Sequence, residues 1–321
     1  MLWQCRHPSE FPRDRWIAIL DSTPEGSPYL LPEWSLFWED VWPGGRAEVW
    51  CLQDGDTVRA VVPLVRRTRY GFLWRHAQPY GTPCGPILLD KTALSADEWR
   101  TLSRTLISAR CLECTITSGS PDLDPTTWKT ELRQGNWVIR VAGKTMGELG
   151  RNFSGSHTRN IEKGEALGLR VSSPASVGEL DLLRHAWRDQ TRAPRFILHP
   201  RYGAALLARF AAIESLVWHL AWAGERPVAG VIFLVHRGQA VSVDTIVDRD
   251  PQFRGAGHWL MADTLRSLLD RGVKAIDLGG APGGGPHDGL DEFKSGWGAT
   301  HEEHLTHIYR HPLYSLLRRN P

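Results

Sequence analysis

The first half of the chain changes repeatedly between helical and strand-like spacing of its apolar side chains. Residues 28–42, PYLLPEWSLFWEDVW, carry apolar side chains at helical spacing and predict an amphipathic helix with a tryptophan-rich face. Two alternating runs, EVWCLQ and TVRAVVPLVRRTR, flank the step at 54–56 and predict a hairpin, because Asp-Gly fits a two-residue turn. Ser95, with Glu98 three residues later, predicts a capping box opening a helix over 96–111.

Strands are also expected at ECTITSG and NWVIRVAG, so the first half is predicted to be α+β with mostly antiparallel pairing. The pattern then resets, and MGELGRNFSGSHTRNIEKGEALG predicts two short helices broken at 154–156. A strand and further helices lead to WHLAWAG, VAGVIFLVH and QAVSVDTIVD, an antiparallel meander with tight turns at 225–227 and 237–238. A helix ending at Gly272 and the strand KAIDLGG follow, an order that resembles the GNAT acyltransferase core.

Length and composition limit the class of protein. A chain of 321 residues predicts two domains, which we place at 1–144, completed by 306–321, and at 145–305. With 41% hydrophobic and 23% charged residues, and no apolar run approaching the roughly 18 residues of a membrane span, the chain is expected to fold in water without crossing a membrane. The N-terminus lacks an apolar export signal, which favours the cytoplasm, and we expect a monomer.

Cysteine and charge usage narrow the class further. Five cysteines, at 5, 51, 84, 111 and 114, are odd in number and scattered, which argues against a disulfide framework and favours buried thiols. The net charge of +2 is too small to indicate a nucleic-acid-binding protein by itself. Only six of the 38 basic residues are lysines, so each lysine is a candidate worth testing.

Three segments of the second half resemble the Fem family. They are SHTRNIEKGEALGL at 156–169, the helix-strand unit LMADTLRSLLDRGVKAIDLGG, and GLDEFKSGWG at 289–298. Fem proteins move an aminoacyl group from transfer RNA to an amine. The resemblance implies α+β architecture with two tandem GNAT-like domains, mixed and mostly antiparallel sheets flanked by helices, and an acceptor bound along the cleft. It implies an aminoacyl-tRNA donor, a small peptide or peptidoglycan precursor as acceptor, and no cofactor.

The same resemblance names candidate site residues. Phe293 and Lys294 match a pair at the Fem catalytic centre, where a fixed ammonium stabilises the ester carbonyl or the terminal phosphates; a surface lysine is the alternative. Arg159 and Lys163, spaced i, i+4, suit phosphates or form a solvated helix face. The early helix has no lysine, so the family's phosphate-binding lysine has no counterpart there, which argues against a nucleotide-linked acceptor. The residues expected to bind substrate are Arg159, Lys163, Arg195, Arg201, Tyr202, Tyr80 and Trp297.

Other chemistries remain open. The run Gln252-Phe-Arg254-Gly255-Ala-Gly257 fits the GNAT coenzyme A loop and favours an acyl-CoA-dependent acyltransferase, unless it is a turn opening a helix. Asp244 and Asp248 near it suit a general base or a strand end, and a non-catalytic binding protein is the third alternative. The run HEEHLTH lacks the spacing of a zinc protease motif, so no metal site is expected.

Overall fold

The computed structural model describes residues 2–22, 27–55, 57–77, 87–88, 94–108, 110–118, 128–173, 178–179, 201–280 and 288–314. Tyr80 and Arg195, both expected to bind substrate, lie outside these residues. The chain divides into two compact units: unit 1 comprises 1–135, 282–284 and 303–321, and unit 2 comprises 136–281 and 285–302. The domain limits placed at 144 and 305 stay a prediction.

The described part of unit 1 contains a mostly antiparallel sheet and three α-helices. Its strands follow the order β1-β2-β3-β4-β6-β13, in which only the pairing of β4 with β6 is parallel among the described pairs. The short β5 pairs with β3. The strands are β1 (Leu2–Arg6), β2 (Gly45–Asp54), β3 (Thr57–Arg69), β4 (Phe72–His76), β5 (Ile87–Leu88), β6 (Cys111–Ser118) and β13 (Thr300–Arg310), whose first three residues belong to unit 2. The helices are α1 (Arg13–Ser22), α2 (Pro32–Val41) and α3 (Ala96–Leu106).

Short-range sequence signals explain where most of these helices and strands begin and end. The hairpin is confirmed, with Asp54 opposite Thr57, and so is the capping box in which Ser95 accepts from the Glu98 backbone N–H. The helix predicted to reach 111 ends at Leu106, because Cys111 already pairs with β4. The predicted helix over 28–42 is split: a 3₁₀ turn is followed by extended Leu31, and α2 begins at Pro32, which lacks the N–H that a helix interior needs.

The predicted tryptophan-rich face is core. Trp34, Phe37 and Trp38 on α2 are at most 2% exposed, and their rings pack against one another. Cysteine behaves as expected at three of the five positions, since Cys51, Cys111 and Cys114 are buried free thiols. The remaining described cysteine, Cys5, is an exposed free thiol, and Cys84 lies outside the described residues.

Unit 2 holds the predicted meander, helix and parallel strand, all of which are confirmed. Its strand order is β7-β12-β11-β10-β9-β8, with β11 and β12 parallel and the other described pairs antiparallel. The strands are β7 (Lys129–Arg140, entering from unit 1), β8 (Arg170–Ser172), β9 (Leu216–Ala223), β10 (Arg226–His236), β11 (Gln239–Val247) and β12 (Ala275–Gly280). The helices are α4 (Met146–Gly150), α5 (Gly155–Glu165), α6 (Tyr202–Phe210), α7 (Ala256–Asp270) and α8 (Asp288–Ser295). The α+β class with mostly antiparallel sheets is therefore confirmed.

One turn differs from its prediction. The meander turn expected at 225–227 lies at Gly224 and Glu225, while Arg226 and Pro227 belong to β10. Gly224 has φ +61°, a conformation that favours glycine, and the ladder is irregular just after Pro227 because proline has no N–H to donate. The turn therefore sits one residue earlier than the proline suggested.

The two parallel strands of unit 2 separate partway along their length. β11 and β12 pair only at Gln239–Val241 with Ala275–Asp277. β11 then continues beside β10 to Val247, and β12 continues beside β7 to Gly280. Among the described residues, the facing edges of 242–247 and 278–280 make no ladder with each other, so backbone polar groups at the end of β12 need other partners.

The core of unit 2 lies between the sheet and α7. Leu260, Met261, Leu265 and Leu268 are buried on this helix, in one cluster with Val231, Phe233 and Ile276 from the strands. None of the described helices is both long enough and apolar enough to cross a membrane.

Candidate active site

Helix α5 and the first turn of α7 touch through their backbones. A Cβ on Gly164 would lie 2.5 Å from the Gly255 carbonyl oxygen, and one on Gly255 would lie 2.4 Å from the Asn160 carbonyl oxygen. Gly255 also has φ +101°, in the region that favours glycine. These two glycines therefore fix the contact between the helices, and larger residues at either position would force them apart.

The close contact between α5 and α7 also explains the glycines of the loop proposed to bind coenzyme A. Gly255 is held against α5, and a Cβ on Gly257 would lie 2.6 Å from Val247. Gln252 lies in a 3₁₀ turn, where its side-chain amide donates to Asp250 at 2.7 Å. Arg254 is exposed, and the loop opens α7 as predicted. Close packing alone accounts for both glycines of the pattern.

Lys294 is buried on the last turn of α8, with 7% exposure, so the surface-lysine alternative is wrong. Its Nζ donates to the carbonyl oxygens of Gly279 at 2.9 Å and Gly280 at 2.8 Å. These carbonyls lie where β12 has left β11, and Gly279 has φ +76°. An ammonium has three N–H donors, and within the described residues only two of them have partners.

Asp277 lies on β12, two residues before Gly279, and was not among the predicted site residues. It is the acidic residue of the strand KAIDLGG. It accepts from the Gly279 N–H at 2.7 Å and from the Asn136 side-chain amide at 2.6 Å. Burial raises the pKa of Asp277 to about 6, against the opposing effect of these hydrogen bonds. Burial lowers the pKa of Lys294 to about 8, although Asp277 and Asp291 partly offset it. Both groups are therefore shifted toward their neutral forms.

A cluster of four aromatic rings includes two from the segment that carries Lys294. His157 from α5, His258 from α7, Phe293 and Trp297 contact one another with ring centroids 4.8 to 6.1 Å apart. Phe293 is half-buried against the core, as a residue that shapes the site would be. Trp297 is 0% exposed and belongs to the core, so the expected contact with substrate is not open to it in this structure. The predicted role of Trp297 in binding substrate therefore stays a prediction, and in this structure the residue packs in the core.

The other candidates differ in exposure. Arg159 and Lys163 are both exposed on α5, one turn apart, as their spacing predicts. Gly255 packs beside the Lys163 side chain, which brings that side chain near the start of α7. Arg201 is exposed at the start of α6, but Tyr202 is only 3% exposed. The acceptor contact proposed for Tyr202 would therefore need its buried ring to become accessible.

The structure also gives the surroundings of the acidic and histidine candidates Asp248, His301 and His304. Asp248 is buried and accepts from Arg226 at 2.5 Å and from the Asp250 N–H at 3.0 Å, which favours the strand-end alternative over a general base. On β13, His301 is exposed and His304 is buried. Within the described residues, no group of three or more His, Cys, Asp or Glu side chains is arranged to hold a metal ion.

Comparison with known proteins identifies the fold. A family profile described as an acetyltransferase (GNAT) domain matches residues 151–295, which include α5, α7, β12 and Lys294. The crystal structure of FemX superposes with a TM-score of 0.72 at 12% identity, over 98% of this chain and 99% of FemX. The sequence matches no curated protein.

Two further solved structures share the architecture. A tandem GNAT protein from the clavulanic acid biosynthesis pathway has a TM-score of 0.58 at 11% identity, covering 96% of this chain and 98% of that one. L-PGS from Bacillus licheniformis has a TM-score of 0.57 at 14% identity, covering 96% of both chains. The chain therefore has a GNAT-like acyltransferase fold, and these findings support an acyltransferase.

Proposed function

We propose that this chain is a Fem-like aminoacyltransferase, which takes an aminoacyl group from aminoacyl-tRNA and forms an amide bond on an amine of a small peptide or a peptidoglycan precursor. The observation that carries the proposal is the buried ammonium of Lys294, fixed on two carbonyls, with no partner for its third N–H among the described residues. The similarity of the whole fold to FemX supports the same choice. The enzyme would act in the cytoplasm as a monomer and without a cofactor.

The chemistry needs no protein nucleophile. The neutral amine attacks the ester carbonyl carbon, so that a C–N bond forms and the C–O bond to the ribose breaks. The electron pair of that bond goes to the ribose oxygen, which also receives the proton lost by the amine. Negative charge develops on the carbonyl oxygen in the transition state, and a preorganised ammonium at that position stabilises it without reorganising. Lys294 would supply that charge, and Phe293 would shape the wall beside it.

Binding is assigned to the exposed cations. Arg159 and Lys163 on α5 would contact phosphates at the acceptor end of the transfer RNA, because both side chains are exposed on one helix face. Arg201 at the start of α6 would hold the acceptor, with Tyr202 if its ring becomes accessible. Arg195 and Tyr80 remain proposed substrate contacts on the family resemblance alone.

A second candidate is an acyl-CoA-dependent N-acyltransferase. The GNAT profile match and the separation of β11 from β12 favour it, since among the described residues the edges of 242–247 and 278–280 make no ladder with each other. In this alternative, Gln252, Arg254, Gly255 and Gly257 would lie beside the donor's phosphates.

The two candidates are separated by one transfer assay. The protein is incubated with a total pool of charged transfer RNA carrying radiolabelled amino acids and with extracted small peptides and peptidoglycan precursors, with and without ribonuclease. Ribonuclease-sensitive transfer to an acceptor supports the aminoacyltransferase. No transfer, together with turnover of acetyl-CoA in a parallel reaction, contradicts it and supports the second candidate.

A further inference from the structure

His157 lies at the junction between α5 and the segment that carries Lys294. Its side chain is buried, with 4% exposure. Nδ1 lies 2.8 Å from the hydroxyl of Ser154, the residue that caps α5, and Nε2 lies 2.8 Å from the carbonyl oxygen of Phe293. One imidazole therefore joins the start of α5 to the residue directly before Lys294.

The hydrogen-bond partners define the state of the ring. A carbonyl oxygen only accepts, so Nε2 carries the proton and donates to Phe293. Nδ1 of the neutral ring then accepts from the Ser154 hydroxyl. Burial lowers the pKa of His157, against the raising effect of the Phe293 carbonyl, which agrees with a neutral ring. With both nitrogens occupied, His157 has no free position at which to act as a base.

The same junction contains a second hydrogen bond and a steric contact. The Ser154 N–H donates to the Gly296 carbonyl at 2.8 Å. A Cβ on Gly296 would lie 2.2 Å from His157 Cε1, so only glycine lets the ring reach this place. Lys294 lies between the two anchored residues, Phe293 and Gly296. Its position on the last turn of α8 is thus held from both sides.

His258 provides the contrast. Its ring contacts His157 and Phe293 with centroids 4.8 and 5.3 Å away. Among the described residues, no side-chain hydrogen bond joins His258 to the segment that carries Lys294. The substitution His258→Phe therefore keeps the ring packing and removes no hydrogen bond to that segment among the described residues.

We propose that His157 is a positioning residue that holds the ammonium of Lys294 against the Gly279 and Gly280 carbonyls, by anchoring the Phe293 carbonyl to the cap of α5. The role of this geometry in catalysis rests on the proposed function of Lys294. The anchoring itself does not, because it predicts a measurable property of Lys294 in the free protein.

The test is the titration of individual lysines. The chain is acetylated with trace acetic anhydride over a series of pH values, and the extent at Lys294 is read by mass spectrometry of its peptide, with exposed Lys163 and Lys274 as internal references. His157→Phe keeps the ring but removes both hydrogen bonds, His157→Gln keeps an amide that can donate to Phe293, and His258→Phe is the matched control.

The titration midpoint of Lys294 is expected near 8 in the natural chain. In His157→Phe it should rise by about one unit or more toward the ordinary lysine value, because the segment is released to water. His157→Gln and His258→Phe should stay near the natural value. An unchanged midpoint in folded His157→Phe, or an equal rise in His258→Phe, overturns the proposal.

If His157→Phe shows no cooperative unfolding transition, Ser154→Ala carries the test, since it keeps the imidazole and removes the hydroxyl that contacts Nδ1 and caps α5. A rise in the same direction is expected, and no rise overturns the proposal. When a donor is known, His157→Phe should lower kcat with little change in KM, and His157→Gln should recover it. A shifted midpoint without transfer from any donor would leave the positioning role intact and reject the proposed function, whereas transfer with an unshifted midpoint would do the reverse.

Discussion

Each unit of this chain buries an acidic residue near a basic one, and the two arrangements differ in what the charges contact. In unit 1, Glu48 and Arg75 are 5% and 7% exposed and form a direct ion pair at 3.1 Å. Burial lowers the pKa of Arg75, but the adjacent Glu48 more than compensates, and the net shift is upward. The charged state is the stable one there.

In unit 2, Asp277 and Lys294 are held by neutral groups instead. Asp277 accepts from a backbone N–H and an amide, and Lys294 donates to two carbonyls; within the described residues no direct ion pair joins them. Burial consequently dominates, with pKa values of about 6 and about 8. Such perturbed groups cluster at functional sites, which supports the role proposed for Lys294.

The largest expected effect is loss of transfer in Lys294→Met. Removing one donor to a developing oxyanion typically costs about 10²–10³ in kcat, and the same loss is expected here. Initial rates at saturating donor measure it. Lys274→Met, an exposed lysine of the same unit, is the matched control and should retain the natural rate. Equal rates in the two variants would remove Lys294 from the mechanism.

In unit 1, breaking the buried ion pair between Glu48 and Arg75 is expected to lower stability. Glu48→Gln leaves the buried guanidinium of Arg75 without its charge partner and should lower the free energy of unfolding by about 3 kcal/mol. Denaturant titration measures this change. As control, Glu302→Gln breaks an exposed pair with Arg140 and should cost less than about 1 kcal/mol. Similar losses in the two variants would show that burial of the Glu48 pair does not matter.

Lys294→Met should also raise stability near neutral pH, by about 2 kcal/mol, because the buried ammonium is held below its ordinary pKa. Between pH 8 and 10.5 the unfolded chain binds the lysine proton and the folded chain has lost it, so the natural chain gains stability as pH rises. The advantage of the variant should therefore shrink across this window in denaturant titrations. A variant less stable than the natural chain at pH 7 would mean that the Gly279 and Gly280 contacts outweigh burial.

The smallest effect concerns His258, whose pKa is lowered to about 4 by burial and by His157. Below pH 6.5, the ordinary pKa of histidine, His258 is protonated in the unfolded chain. In the folded chain it stays neutral until about pH 4. Stability should therefore fall as the pH decreases through this window, and it should fall less in His258→Phe. Unfolding midpoints at pH 7 and pH 4.5 measure the difference, and identical pH dependence in both chains would contradict it.

The sequence predicted what local patterns specify. The capping box at Ser95, the meander over 216–247 and the helix and strand after it have short-range signals, and each lies where expected within a few residues. Lys294 was found through a short motif. The end of α3 was missed because strand pairing at Cys111 overrides helix propensity, a long-range effect that no local window contains.

The rest of the site depends on residues far apart in sequence. Asn136 and Asp277 are 141 positions apart, and His157 and Phe293 are 136 apart, so neither contact has a local signature. The burial of Trp297 could not be predicted for a related reason, since the motif marks an aromatic residue but does not show that neighbouring elements enclose it. Buried glycines such as Gly164 could have signalled close helix packing.

The most direct test of the contrast between the two units is the titration midpoint of Lys294 in the natural chain and in Asp277→Asn, read by competitive acetylation. A midpoint near 8 is expected in the natural chain, with a lower value in Asp277→Asn, because the Asp277 charge favours the ammonium. A midpoint near the ordinary 10.5 in both chains would show that Lys294 is an ordinary solvated lysine and would contradict the account.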